Sequence, residues 1–224
     1  MRRLTAAVAA LGTGLALTLV GVSAANASIT SPTNGSTVGG TITLSDTGAT
    51  DTGSLCITGS GAQTQVRVFN SANTAVFNQT KSGAGVASFT FDTHTVPNGA
   101  YKVQTDLRSR SGTLFCSNSN STFTSNITIT NTVDLGYSGA LAAPQNTTLP
   151  MSITVTDPNN SGANVAGIVV TASLSGQAGT ASGTSNASGI VTLNMPISGP
   201  PRAGATLTLT STGTANWASK VLTR

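Results

Sequence analysis

Apolar and polar side chains alternate at every second position in many short stretches of this chain. Between Tyr101 and Arg108 the odd positions are mostly apolar and the even positions are polar. Because successive side chains of a β-strand point to opposite faces, this period of two predicts a strand with one buried and one solvated face. The same alternation predicts further strands at 65–68, 87–92, 123–129, 151–156, 168–174, 191–195 and 207–209. Turn sequences rich in Asn, Gly and Pro separate these stretches, so the pattern predicts an all-β fold.

The alternation restarts after Asn131, which predicts two domains, 28–131 and 132–224. Sheets with one apolar face bury that face by stacking in pairs, so each domain is expected to be an antiparallel β-sandwich around one core. Removal of residues 1–27 would leave 197 residues (224 minus 27), which fits two sandwiches of roughly 100 residues each. The join ITITNTVDLG contains no Pro/Gly/Ser-rich spacer, and this predicts a stiff connection between the domains.

The N-terminus has the features of a secretory signal peptide. Two arginines precede an apolar stretch at 4–22, and a small-x-small cleavage pattern ends at Ala27. We therefore expect cleavage between Ala27 and Ser28 and a secreted, extracellular chain, free or non-covalently associated with the cell wall. An uncleaved anchor is the alternative, but Thr and Gly dilute the apolar stretch and no basic stop-transfer flank follows it.

Charge and composition exclude several classes of partner. Without Arg2 and Arg3 the ten basic residues become eight, against six acidic residues. Only Arg108 and Arg110 lie close together, whereas proteins that bind nucleic acid concentrate positive charge on one face. Neither nucleic acid nor, after signal removal, the membrane is expected as a partner. The chain contains no Glu and is rich in Thr, Ser, Val, Asn and Gly, which favours strands over helices.

The chain contains two cysteines, Cys56 and Cys116. In an exported protein an even count favours a disulfide over free thiols, so one bond is expected. Neither cysteine lies in the predicted signal peptide, and we therefore expect no lipid anchor on either of them.

Two groups of segments resemble bacterial immunoglobulin-like domains. Residues 29–130 are similar to one type: ITSPTNGSTVGGTITLS resembles its Ser-Pro-x-x-Gly-x-x-Val entry, and FDTHTVPNGAYKVQTDL resembles its Asp-Thr-x-x-Val-Pro-Asn-Gly-x-Tyr hairpin. Residues 135–222 resemble a second type, repeated in surface and adhesin-like proteins, through LGYSGALAAPQNTTLPMSITVTD, NVAGIVVTASLSG, SNASGIVTLNMPISG and ATLTLTSTGTANWASK. The resemblance implies two consecutive immunoglobulin-like antiparallel β-sandwiches. It does not choose between a spacer, a stalk and an adhesion module, because one fold hosts many functions.

The first domain departs from the family pattern by two insertions, DTGATDTGSLCITGSGA and SRSGTLFCSNSNS. In the fold that the resemblance implies, both are loops at the same end of the sandwich, where a Cys56–Cys116 bond would pin them together. Closing a loop of about 60 residues would stabilise the fold by roughly 4 kcal/mol. Specific recognition is expected on these pinned loops, because loops present side chains without disturbing the core.

His94, the only histidine, invites a catalytic interpretation because acidic residues lie on both sides of it. The residues around it predict a turn: a strand ends near Phe91, Pro97 and Gly99 favour chain reversal, and a new strand starts at Tyr101. We expect His94 at an exposed corner, without the orienting group and shielding from water that a general base needs. Without Glu or a second His, the sequence predicts no catalytic triad, carboxylate pair or zinc site, and therefore no enzyme and no cofactor.

Calcium is the one metal for which the sequence offers donors. Asp46 and Asp51 share one Gly-rich loop, and Asp157 precedes Asn159 and Asn160. Carboxylate and carbonyl oxygens can bind calcium. The sequence Asp-Pro-Asn-Asn-Ser-Gly is also typical of a turn, which is the interpretation we favour, and no metal is expected.

Trp217, the only tryptophan, falls in the last loop, where it either caps the core or contacts a ligand such as a sugar ring.

The leading prediction is a non-enzymatic binding, adhesion or structural protein whose partner is an unknown extracellular protein or a cell-wall glycan. The alternative, a carbohydrate-binding accessory protein, requires Trp217 and Tyr137 on one exposed surface. An inhibitor of a secreted hydrolase is compatible with the sequence, but no motif indicates it. Thr-rich strands with few Lys or Pro residues also allow edge-to-edge self-association.

Overall fold

The computed structural model describes residues 29–199 and 204–224. The signal peptide predicted at 1–27 and its cleavage between Ala27 and Ser28 lie outside the described residues. Within the described ranges the chain forms seventeen β-strands and one turn of 3-10 helix, which confirms the all-β prediction. No helix in this part of the chain is long and apolar enough to span a membrane.

The strands are short in both halves of the chain, with two long exceptions near the middle. The first nine are β1 (Ile29–Ser31), β2 (Ser36–Val38), β3 (Thr41–Asp46), β4 (Asp51–Ser54), β5 (Gln63–Phe69), β6 (Ala75–Ser82), β7 (Ala87–Asp92), β8 (Gly99–Thr113) and β9 (Ser117–Ile129). The 3-10 turn, Thr93–Thr95, lies between β7 and β8. The other eight are β10 (Asp134–Tyr137), β11 (Thr147–Asp157), β12 (Ala163–Asn164), β13 (Val169–Leu174), β14 (Thr180–Thr184), β15 (Ile190–Ile197), β16 (Leu207–Ser211) and β17 (Lys220–Thr223).

These strands form four sheets, two in each half of the chain. The first half has a three-stranded sheet, β1-β3-β7, and a larger sheet in the order β2-β9-β8-β5-β6, with β4 also paired to β8. In the second half β11 pairs with β10, β12 and β15, and a separate sheet has the order β14-β13-β16-β17. Strand pairs within the described sheets are antiparallel, except that β2 with β9 and β4 with β8 are parallel.

The two halves repeat one strand plan. The sheets β1-β3-β7 and β10-β11-β15 use corresponding strands, and so do the runs β6-β5-β8-β9 and β14-β13-β16-β17. Two stacked antiparallel sheets with strands distributed in this way form an immunoglobulin-like sandwich. The chain is therefore two consecutive immunoglobulin-like β-sandwiches, as predicted.

Each sandwich has its own hydrophobic core, built from the positions that alternate in the sequence. Val68 and Val103 are buried in the first core, and Ile153 and Val191 are buried in the second. Burying one such side chain contributes about 1.5–3 kcal/mol. A third, small cluster joins Ala49 and Ala62 of the first insertion to Leu107 of β8. The alternation therefore identifies the buried faces of both sandwiches correctly.

The second insertion is not the loop that the sequence predicted, whereas the first is a loop that contains one short strand, β4. The second insertion extends the larger sheet: β8 and β9 continue as one hairpin, from the pair Gly99–Ile129 to the pair Ser111–Ser117, and β4 of the first insertion joins the far end of β8. No strand residue at this end of the hairpin is fully buried, so no apolar residues recur there. The prediction for the second insertion was wrong because a period of two appears only where one face of a strand is buried.

Candidate functional site

The disulfide between Cys56 and Cys116 joins the segment after β4 to the turn of the β8–β9 hairpin. The two Cα atoms are 5.4 Å apart, and the residues are separated by 60 positions in the sequence. We call residues 55–57 and 114–116 the stapled tip. Because β8 starts beside the second sandwich and ends at the stapled tip, the tip lies at the end of the first sandwich that is remote from the second.

Backbone hydrogen bonds hold the two segments of the stapled tip together. The Ile57 N–H donates to the Leu114 carbonyl at 2.8 Å, and the Leu114 N–H donates to the Ser54 carbonyl at 3.0 Å. Leu55 and Leu114 have positive φ angles of 52° and 59°, which are unfavourable for bulky side chains. Such backbone strain persists only where the surroundings fix it, and here the disulfide and the hydrogen bonds do so.

Four large apolar side chains of the stapled tip face solvent. Leu55 is 78% exposed, Ile57 68%, Phe115 73% and Leu114 45%. Soluble domains rarely leave apolar side chains grouped in water, and such groups usually mark interaction sites. The stapled tip is therefore an exposed apolar patch on a backbone that the disulfide fixes.

An ion pair supports the base of the stapled tip. The guanidinium of Arg110 donates to both carboxylate oxygens of Asp51, through Nε at 3.0 Å and Nη2 at 2.6 Å. The hydrogen bond from Arg110 lowers the pKa of Asp51, and the Gly53 N–H lowers it further. A Cβ on Gly53 would lie 2.4 Å from the Cys56 sulfur, so only glycine lets β4 approach the disulfide this closely.

The acidic residues considered as calcium ligands each have other contacts. Asp46 is buried at the end of β3 and accepts a hydrogen bond from the Gly48 N–H at 2.7 Å. Asp51 is paired with Arg110. Asp157 accepts from the Asn159 N–H at 2.9 Å, which is the turn geometry predicted for that segment. Among the described residues, no group of three or more His, Cys, Asp or Glu side chains could hold a metal ion.

His94 lies in a turn, as predicted, but not at an exposed corner. Its side chain is 19% exposed and lies between the two sandwiches. Nδ1 is 2.8 Å from Oδ1 of Asp92, and Nε2 is 3.0 Å from Oδ2 of Asp157 in the second sandwich. The exposure prediction was wrong because the sequence around a turn does not reveal that a second domain covers it.

The last loop of the second sandwich covers the other side of His94. The imidazole stacks on the indole of Trp217, with 4.8 Å between ring centroids and 26° between ring planes. The Asn216 side-chain N–H donates to the His94 carbonyl at 2.8 Å, and the Asn98 N–H donates to the Ala215 carbonyl at 2.7 Å. The turn at 92–98 is therefore an interdomain contact.

Asn131, at the boundary between the sandwiches, is fully buried and connects several segments. Its side-chain oxygen accepts from the Gly40 N–H and the Thr93 hydroxyl, and its side-chain N–H donates to the Thr93 carbonyl. Its own carbonyl accepts from the Ala218 N–H of the last loop. We call this contact region the junction; it comprises residues 92–98, Asn131, 157–160 and 214–218.

The two aromatic residues of the carbohydrate hypothesis do not form a platform. Tyr137 is buried, and its hydroxyl donates to the Ala140 carbonyl at 2.7 Å. Burial raises the pKa of that hydroxyl. Trp217 is half-buried, with one face on His94 and contacts to the core of the second sandwich. This arrangement favours the capping alternative for Trp217.

The junction brings a histidine and two carboxylates together but does not resemble a catalytic centre. Both ring nitrogens of His94 already face carboxylates, and Trp217 covers the ring. A general base needs one nitrogen directed at a reacting group in an accessible site. The geometry suits a structural contact.

Sequence reasoning missed the junction and only partly found the stapled tip. Asp157 and Trp217 are remote from His94 in the sequence, and no periodicity relates them. A signal for the tip was present in the sequence, since each cysteine follows or precedes large apolar residues, in LCI and LFC. Apolar residues that surround a cysteine in an otherwise Ser/Thr/Gly-rich insertion indicate an exposed apolar group.

No protein-family model matches the chain, and no curated protein matches it. Among solved structures, the chain is similar to the tetra-tandem repeat in the extending region of a large adhesion protein, with 17% identity and a TM-score of 0.40 over 81% of this chain and 44% of that chain. It is similar to red sea bream transglutaminase, with 13% identity and a TM-score of 0.35 over 88% of this chain and 30% of that chain. It is also similar to the BSP domain of a biofilm-associated protein, with 16% identity and a TM-score of 0.24 over 84% and 28%.

The chain spans less than half the length of each of these three structures.

Proposed function

We propose that this chain is a non-enzymatic extracellular protein that binds another surface protein through the stapled tip, in an adhesion or assembly role. The observation that carries the proposal is the exposure of four large apolar side chains on a disulfide-fixed end of the molecule. Removing apolar surface from water is favourable by about 25 cal/mol per Å². A fixed backbone adds to this, because little conformational freedom is lost on binding.

The partner that suits the stapled tip is a protein with an apolar pocket. Buried aromatic and aliphatic anchors dominate the affinity of protein interfaces, and Phe115 and Ile57 can supply them. Sugar rings are bound by stacking on aromatic faces, and the stapled tip offers a single aromatic ring. The charged residues at its base, Asp51 and Arg110, neutralise each other. Attraction by the tip is therefore apolar, and the expected binding depends little on salt.

An extracellular location is supported by the disulfide and by the signal peptide predicted from the sequence. Disulfides persist in oxidising compartments and are rare where thiols are kept reduced. The stapled tip would lose its fixed geometry in a reducing compartment, so the proposed binding requires an oxidising environment such as the cell exterior.

The proposal is tested by binding purified residues 28–224 to intact cells of the producing organism. The tip variant combines Ile57→Ser with Phe115→Ser, and the matched control combines Val169→Ser with Val221→Ser, which removes exposed apolar side chains from the second sandwich. We expect the tip variant to lose about tenfold or more in affinity, since two anchors are removed. The control variant should bind as the unaltered chain does.

Enzymatic treatment of the cells identifies the class of partner. Protease treatment should abolish binding, and digestion of cell-wall glycans should leave it unchanged. Equal binding by the tip variant, or loss of binding only after glycan digestion, would overturn the proposal. All of the replaced side chains are at least partly exposed, so both variants should melt cooperatively like the unaltered chain.

A further inference from the structure

The junction contains a histidine whose two ring nitrogens face two carboxylates. Asp92 approaches Nδ1 from the same turn, and Asp157 approaches Nε2 from the second sandwich. The side chains that the last loop places against this turn, Trp217 and Asn216, are neutral. Asp92 and Asp157 are therefore the charged groups that face the ring, among the residues that the structure describes.

The two carboxylates differ in their access to water. Asp92 is half exposed, with 50% of its side chain accessible, whereas the Asp157 side chain is 3% exposed. Oδ2 of Asp157 and Nε2 of His94 lie at contact distance but make no aligned hydrogen bond with any described residue. Water can compensate the charge of Asp92, but a buried carboxylate without a charged partner is costly.

The charge state of the ring decides whether both carboxylates have a partner. A neutral imidazole carries one N–H and one lone pair, whereas the imidazolium carries an N–H on both nitrogens. With one proton, the ring turns a lone pair towards either Asp92 or Asp157. With two protons, it pairs with both at once and places a positive charge beside the buried carboxylate of Asp157. The second proton therefore strengthens the contact that crosses between the sandwiches.

We infer that the junction is a proton-dependent latch, in which protonation of His94 locks the two sandwiches in one orientation and deprotonation loosens them. Histidine is the side chain that commonly gains or loses its proton between about pH 5 and 8. Acidification through this range is expected to stiffen the chain.

A small rotation at the junction moves the stapled tip a long way, because the two lie at opposite ends of β8. Asn98, which bonds to the last loop, directly precedes β8, and β8 runs 15 residues from Gly99 to Thr113. At about 3.3 Å per residue the tip is about 45 Å from the junction. A rotation of about 10° at the junction would then displace the tip by about 8 Å relative to the second sandwich.

The chain is suited to a direct test, because it contains one histidine and one tryptophan. The protonation of His94 is followed by NMR from its ring resonances in residues 28–224, and the stacking on it is followed by Trp217 fluorescence. Residual dipolar couplings measured on the same sample report whether one alignment describes both sandwiches. We expect a shared alignment while His94 is protonated, separate alignments after it loses the proton, and a change in Trp217 emission with the same midpoint.

Three variants separate a latch from a merely structural contact. His94→Gln removes the titration, and Asp157→Asn removes the buried partner while His94 still titrates; both should abolish the pH dependence of the alignment. The control Asp134→Asn removes a carboxylate from the exposed ion pair with Lys220. This variant should retain the pH dependence of the alignment. The inference is overturned if the alignment of the unaltered chain stays constant while His94 titrates, or if Asp157→Asn behaves like Asp134→Asn.

Discussion

Asp46 and Asp51 are close in the sequence, yet their surroundings have opposite effects on their ionisation. Burial at the end of β3 raises the pKa of Asp46, although the Gly48 N–H and the hydroxyls of Thr105 and Thr47 offset part of this effect. At Asp51 the hydrogen bond from Arg110 dominates and lowers the pKa. Ionised Asp46 therefore lowers the stability of the fold, whereas ionised Asp51 raises it.

Asp46→Asn should raise the free energy of unfolding at neutral pH. The raised pKa means that the folded chain holds this proton more tightly than the unfolded chain does, so stability is lost as the pH rises through the folded pKa. The variant has no proton to lose and keeps an oxygen that can accept from the Gly48 N–H. Urea unfolding at pH 7 should show the variant to be the more stable, and at about pH 3 the difference should vanish.

Asp51→Asn serves as the control and should behave in the opposite way. Because the pKa of Asp51 is lowered in the folded chain, its contribution to stability is present above the unfolded pKa and is lost as the pH falls. The variant should therefore be less stable than the unaltered chain at pH 7, with the difference shrinking in acid. A change of the same sign in both variants would contradict the assignment of their surroundings.

At the scale of elements, the β8–β9 hairpin extends beyond the hydrophobic core that supports its first half. Its far end is supported by the small cluster around Leu107, by pairing with β4, by the Asp51–Arg110 ion pair and by the disulfide. The apolar side chains of the stapled tip add little to this support, because they face solvent. The covalent bond should therefore make a large contribution to the order of this end.

Replacing both cysteines, Cys56→Ser with Cys116→Ser, should lower the free energy of unfolding by about 4 kcal/mol, because the unfolded chain regains the freedom of a long closed loop. Chemical denaturation of the variant and of the unaltered chain measures the difference. Adding a reductant to the unaltered chain should give the same loss and should leave the variant unaffected. A loss of less than about 1 kcal/mol would show that the fold orders the hairpin end without the bond.

The edges of the sheets are a further feature at this scale. β6 and β14 are outermost strands, and their outer backbone groups have no strand partner within the described sheets. Unpaired edges of this kind can pair with another chain. Self-association along an edge, expected from the Thr-rich sequence, stays a prediction that light scattering at high concentration can test.

For the whole molecule, the sequence predicts what depends on local patterns. Alternation identified strands such as the one containing Val66 and Val68, since a half-buried strand must place its apolar side chains on one face. The turn at His94 followed from Pro97 and Gly99. The burial of His94 against Asp157 could not be predicted, because it depends on how one sandwich is placed on the other.

The stapled tip shows the same limit within one domain. The sequence predicted that Cys56 and Cys116 would bond and that recognition would lie near them. It did not predict that a long hairpin carries Phe115 and Leu114 into solvent, because strands that are exposed on both faces have no apolar period. Local chemistry and the disulfide are thus predictable from this sequence, while the other contacts between distant segments appear only in the fold.

Binding through the stapled tip is tested most directly by photo-crosslinking from within it. Phe115 is replaced by the photoreactive residue benzoyl-phenylalanine, and Val221, which is also exposed but lies in the second sandwich, is replaced in the same way as the control. After irradiation on intact cells of the producing organism, we predict a protease-sensitive covalent adduct from position 115 and none from position 221. Adducts of equal yield from both positions, or an adduct from position 221 alone, would contradict the account.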